Sequence, residues 1–188
     1  NCNCILNPFD FKKIKKLSKE KEKKIFKPNT IRLISVGRLT DQKDHLTTLK
    51  AIKDCKKNNI ELIILGKGEN EIKLKKFCYK NKLDKKVKFL GYKNNPFKYI
   101  KQADILILSS IFEGSPNILI EAMASGLPIL SSKNEPMPEF LGKNAIFFDP
   151  DDVQSIVKKI LYSLNNKELL NTIASKNQSI VKKYNWKE

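Results

Sequence analysis

Asp104-Ile-Leu-Ile-Leu-Ser109 is apolar at consecutive positions rather than at alternate ones. Such a run suits a strand covered on both faces, the usual condition of a parallel sheet. The residues that follow, Glu113-Gly-Ser-Pro-Asn-Ile-Leu-Ile-Glu121, predict a turn and then a helix. Ser115 is placed as its N-cap and Pro116 as its first residue, where a missing N–H costs nothing. Gly126 is placed to close the helix, and Pro128 prevents its continuation. A strand, a glycine-containing turn and a helix amino terminus together form an anion site, in which the backbone amides of Asn117, Ile118 and Leu119 face the strand's carboxyl end.

The same pattern recurs along the chain. Strands are expected at 31–36, 61–65, 87–90, 104–109, 128–131 and 145–148, and helices near 44–57, 70–81, 96–101, 151–164 and 167–184. Strands alternating with helices require right-handed crossovers, hence an α/β fold. The expected architecture is a Rossmann-like parallel sheet of about six strands with helices on both faces. Residues 1–30 read as a lead-in that passes Asn7-Pro8, forms a short helix from Phe11 and continues through Pro28 as a mobile, lysine-rich link. The domain proper then spans 31–188.

Length and composition narrow the classes. At 188 residues the chain holds one domain with a sizeable core. It has no apolar run of about 20 residues and no apolar-centred leader. It begins at Asn1, so a C-terminal piece of a longer polypeptide is expected. The net charge of +17 invites a nucleic-acid or anionic-membrane reading. The lysines are scattered, however, and the densest run, Lys12 to Lys27, reads as a tail or linker rather than a groove. The cysteines (Cys2, Cys4, Cys55, Cys78) include no C-x-x-C pair, and His45 is the only histidine. A zinc site is therefore not expected, and a reducing cytoplasm is.

Two glutamates eight positions apart are weak evidence alone. Here Gly114 follows the first, Ala-x-Ala-x-Gly-x-Pro follows the second, and Gly37-Arg38-Leu39 with Lys43 lies upstream. In this combination the chain resembles the retaining glycosyltransferases of the GT-B fold, in the large group 4 family. The resemblance runs from about Ile31 to Tyr184 and covers only their nucleotide-sugar-binding half.

The resemblance implies roles residue by residue. Arg38 and Lys43 would bind the donor diphosphate and help the nucleoside diphosphate leave; a planar fork beside a point charge suits that group. Glu121 would accept both ribose hydroxyls, and Glu113 would contact the transferred sugar near its anomeric carbon. Gly114, Ser115 and the amides of Asn117, Ile118 and Leu119 would face the phosphates, while Gly66 and Tyr92 would border the base. Without the flanking motif, Glu121 reads equally as a solvated helix residue, and Glu113 as a turn residue.

The donor expected first is a UDP-sugar, with no metal and no other cofactor. The partners expected are a glycan or lipid-linked acceptor, the missing N-terminal domain and, peripherally, an anionic membrane at the cytoplasmic face; nucleic acid is not expected. Asp149-Pro-Asp151 precedes a helix, so Asp151 or Asp152 reads as an N-cap instead of a metal ligand. His45 reads as an ordinary first-turn residue. The contrasting class is a basic module that binds nucleic acid or membrane without catalysis, with Tyr92, Phe97 and Tyr99 as its stacking candidates. Epimerases and phosphorylases of the same architecture are a third reading, but are not expected to combine these motifs so closely.

Overall fold

The computed structural model describes residues 9–56, 59–114 and 117–184. Six strands, β1 (Ile31–Val36), β2 (Ile60–Leu65), β3 (Val87–Gly91), β4 (Ile105–Leu108), β5 (Ile129–Ser132) and β6 (Ile146–Phe148), form one sheet. Each neighbouring pair is parallel, in the order β3-β2-β1-β4-β5-β6. The helices are α1 (Phe11–Ser18), α2 (His45–Asp54), α3 (Glu71–Lys80), α4 (Phe97–Ile100), α5 (Asn117–Ala124), α6 (Met137–Leu141), α7 (Val153–Asn165) and α8 (Lys167–Ile180).

The doubly wound sheet follows from the strands' composition. Successive strand side chains point to opposite faces, and here both faces are covered. Leu33, Leu62, Ile64, Ile105 and Ile107 belong to one core with residues of α2, α3 and α7. Ile34, Ile63, Leu65, Leu106 and Leu108 belong to the other, with residues of α1, α4, α5 and α6. Every position of β2 is buried, Glu61 included.

The order reverses between β1 and β4. Chain leaving β1 and chain leaving β4 therefore diverge from adjacent strand ends and leave a crevice at the carboxyl edge, where ligands of open α/β sheets bind. The segments placed there are Gly37 to Asp44 and Ser109 to Gly114.

Three expectations need adjustment. Residues 19–30 contain no helix or strand, but they are not a loose link. Phe26 is buried, Ile25 N–H donates to Gln102 Oε1 at 3.1 Å, and Lys27 N–H donates to Glu61 Oε2 at 2.8 Å. Glu61 also pairs with the ammonium groups of Lys27 and Lys88, each at 3.4 Å, so a buried carboxylate draws the link onto the sheet. The lysine-rich run is likewise no free tail, because most of the residues from Ser18 to Arg32 line a groove of about 1190 Å³ at the sheet's amino edge. The short α6 was not anticipated from the sequence. The expected hinge at Asn7-Pro8 lies outside the described residues.

Asp152 caps α7, accepting from the N–H groups of Gln154 at 2.8 Å and Ser155 at 2.9 Å. Ile63 lies in a central strand, fully buried in the second core. Replacing it with alanine is expected to cost about 2–5 kcal/mol in denaturant unfolding, with the m-value unchanged.

Candidate functional site

The carboxyl edge is assembled by two loops joined to each other. After β1, the chain passes Gly37 and Arg38 and makes a 3-10 turn, Asp41–Lys43. Asp44 then adopts a left-handed conformation (φ 40°) and caps α2, its carboxylate accepting from Thr47 N–H at 3.2 Å. After β4, Ser109 Oγ lies 2.9 Å from the Lys43 carbonyl and 2.8 Å from that of Asp44, and Thr48 Oγ1 donates to it at 2.9 Å. Ile111 N–H donates to the Gln42 carbonyl at 2.8 Å, and Gln42 Nε2 donates to the Phe112 carbonyl at 2.9 Å. These bonds hold the turn carrying Lys43 against the loop carrying Glu113.

Lys43 Nζ and Glu113 Oε1 form an ion pair, with side chains 13 % and 6 % exposed. Two charges removed this far from water are costly unless paired, so each fixes the other's position. The aliphatic stem of Lys43 passes over Gly37, where a Cβ would meet its Cε at 3.4 Å.

Beside this pair lies a cleft of about 610 Å³, lined by Gly37, Arg38, Gly66, Lys67, Tyr92 and Glu121 among others. Arg38 and Tyr92 are exposed. Gly66 sits at φ +141°, and a Cβ there would fall 1.8 Å from the Gly37 carbonyl oxygen, so the ends of β1 and β2 can approach this closely only without a side chain.

Glu121 is half-buried on α5, and burial pushes its carboxyl up to about 7 from an ordinary 4.5. A carboxyl so placed presents two oxygens to a ligand able to donate to both.

Arg38, Gly66, Tyr92 and Glu121 thus share one cleft, while Lys43 and Glu113 meet next to it without forming its wall. Gly114 is exposed, with open space around its Cα, and Asn117 is exposed at the start of α5. The side chains of Ile118 and Leu119 are buried in the second core, which leaves only their backbone to serve a ligand. Ser115 and Pro116, expected to open α5, lie outside the described residues. α5 closes at Gly126 (φ +69°), where Leu127 N–H returns to the Ala122 carbonyl at 2.9 Å.

Residue-type reasoning missed Lys67, Lys93, Asn94 and Pro96, all of which line the cleft, and named Phe97 only for the contrasting reading. Their signal was positional, since Lys67 directly follows β2 and Gly66, while the others follow β3. Among the described residues, no group of three or more His, Cys, Asp or Glu is close enough to hold a metal ion. None of the described helices is long and apolar enough to cross a membrane.

A sequence model of the family described as "Glycosyl transferases group 1" matches residues 17–179, and the chain belongs to that family. An uncharacterised glycosyltransferase of Methanocaldococcus jannaschii is 38 % identical over 134 residues, 68 % of this chain and 33 % of the relative. The Escherichia coli enzyme named UDP-Gal:alpha-D-GlcNAc-diphosphoundecaprenol alpha-1,3-galactosyltransferase is 32 % identical over 160 residues, 80 % of this chain and 40 % of that one. Among solved structures, Anabaena HepE in complex with UDP superposes with a TM-score of 0.82 at 23 % identity, covering 95 % of this chain and 52 % of its own; at that identity the likeness concerns the fold. The chain spans about a third of the first of these relatives and two fifths of the second.

The raised Glu121 carboxyl has a consequence for stability. Between about 4.5 and about 7 the folded state holds a proton that the unfolded chain has released. The resulting stabilisation is complete below 4.5 and is lost as pH rises through 7. Glu121→Gln is therefore expected to be more stable than the parent chain at pH 8 by about 1–3 kcal/mol, and the difference should vanish near pH 4.5. Denaturant unfolding at the two pH values checks this.

Proposed function

We propose that this chain is the donor-binding part of a retaining hexosyltransferase, which takes a sugar from a nucleoside diphosphate and passes it to a glycan or lipid-linked acceptor. The observation that carries the reading is one cleft at the sheet's carboxyl edge, between the ends of β1, β2 and β3 and α5, holding a guanidinium, a close-approach glycine and a half-buried carboxylate, with a buried Lys–Glu pair beside it. Family membership and the UDP named for both the E. coli relative and the Anabaena structure support it.

The chemistry asks little of any single residue. Arg38 and Lys43 supply counter-charge to a diphosphate, the α5 amino terminus adds its dipole, and no metal is required in this scheme. Glu121 accepts the ribose diol, and Tyr92 borders the base, with UDP as first choice. When a diphosphate draws Lys43 toward itself, Glu113 is released to face the sugar. Its charge then opposes the positive charge that develops at the anomeric carbon as the nucleotide departs, an interaction stronger in the transition state than in the ground state. The acceptor is brought by a further domain of the longer protein. The reaction belongs to surface-polysaccharide or lipooligosaccharide assembly in the cytoplasm, at the inner face of the membrane where a lipid-linked acceptor is presented.

The contrasting nucleic-acid reading relied on stacking by Tyr92, Phe97 and Tyr99. Phe97 and Tyr99 are buried in the core, which leaves Tyr92 alone exposed.

Calorimetric titration of the chain with UDP, GDP, ADP and a short DNA duplex at about 150 mM salt tests the reading. Saturable binding of one nucleotide, in the micromolar to millimolar range, is expected; duplex binding without nucleotide preference would overturn it. Arg38→Ala and Glu121→Ala should each weaken nucleotide binding about tenfold without unfolding the domain. In the longer protein, Glu113→Gln should lower kcat about a hundredfold with little change in donor KM.

A further inference from the structure

His45 is the first residue of α2 and is 3 % exposed. Its Nε2 lies 3.2 Å from the Arg38 carbonyl oxygen and its Nδ1 3.4 Å from Ser35 Oγ, itself buried in β1. A carbonyl can only accept, so Nε2 carries the proton, and Nδ1 then accepts from the Ser35 hydroxyl. With both nitrogens partnered, one tautomer is favoured.

Burial, reinforced by the neighbouring Lys43 charge, pushes the ring down to about 4. The imidazole is thus neutral across the working pH range, and the bond to Arg38 persists there.

Arg38 itself is exposed, and its guanidinium has no hydrogen-bond or ion-pair partner among the described residues. Its direction is therefore set by its backbone. Four bonds fix that backbone: Gly37 N–H to the Leu65 carbonyl at 3.0 Å, Leu39 N–H to the Lys67 carbonyl at 3.0 Å, Asn70 N–H to the Leu39 carbonyl at 2.9 Å, and the imidazole on the carbonyl of Arg38. The first three tie the flanking residues to the end of β2 and the loop after it. Among the described residues, only the fourth reaches Arg38 itself, and it comes from a side chain.

We infer that His45 is a positioning residue for Arg38, aiming the guanidinium into the cleft by holding its carbonyl from beneath. The inference rests on the reading of Arg38 as a diphosphate-binding residue. An apolar residue of similar size at position 45 would leave a part-buried carbonyl without its partner, and the segment would turn to find another.

UDP affinity is the readout, measured by calorimetry on the 188-residue chain beside unfolding free energy. His45→Leu is expected to weaken UDP binding about tenfold, and His45→Gln, whose amide can donate to the same carbonyl, to recover most of it. In an Arg38→Ala background His45→Leu should have no further effect, because its influence passes through Arg38. A merely structural His45 would change stability equally in both backgrounds and leave affinity alone.

Unaltered affinity in His45→Leu, or the same loss with and without Arg38, would overturn the positioning role. If Arg38→Ala itself leaves UDP affinity unchanged, the donor-site reading falls, and the positioning role with it. Should His45→Leu fail to fold, Ser35→Ala takes its place: it frees Nδ1 and should weaken UDP about threefold, again only when Arg38 is present. No loss in Ser35→Ala, or an equal loss without Arg38, would likewise overturn the role.

Discussion

The reversal of strand order between β1 and β4 is the constraint on which the carboxyl edge depends. Two chain segments leave adjacent strands in opposite directions, and the gap must be spanned by something other than sheet. It is spanned by polar side chains acting on backbone, Ser109 on the Lys43 and Asp44 carbonyls and Gln42 on Phe112, while His45 braces Arg38 within the segment that leaves β1. Such a frame holds in place, without a ligand, the backbone from which the charged groups project, so that only side chains need move when one binds.

The molecule also has a larger groove, at the amino edge, lined by most of residues 18–32 and parts of α4, α7 and α8. Volume alone would favour it. The strand ends there are the amino ends, and in a right-handed βα layer the crossover helices finish on that side, so their C-terminal carbonyls and negative dipole ends gather there, although α8 begins beside the groove at Lys167. An anionic nucleotide gains more at the opposite edge, where helices begin. The lysines of the amino edge are in part already engaged, Lys27 with Glu61 and Lys98 with Glu22.

The strands were legible because three of them, β2, β4 and β5, are runs buried at every position, a pattern that does not depend on partners far away in sequence. Asp152, one of the two cap candidates before α7, was legible for the same local reason. α6 was not, since a five-residue helix flanked and entered by Pro136 and Pro138 carries breaker signals and too few turns for a period. The docking of residues 19–30 was hidden too, because the main-chain donors of Lys27 and Ile25 are met by Glu61 and Gln102, 34 and 77 positions away in the chain. Arg38 and Glu121, singled out by motif, and Gly66 and Tyr92, singled out by their places after β2 and β3, line one cleft. The role of His45 was invisible, because a histidine opening a helix gives no hint that its ring turns inward to a carbonyl seven residues earlier.

The most direct measurement is a map of backbone amide chemical shifts of the 15N-labelled chain as UDP is added. Binding in the cleft at the sheet's carboxyl edge predicts that the perturbed amides cluster at Gly37 to Thr40, Gly66 to Gly68, Tyr92 to Asn94 and Asn117 to Glu121. Perturbations centred on Lys19 to Lys27, Lys101 and Lys167 would put the nucleotide in the amino-edge groove and contradict the proposed site.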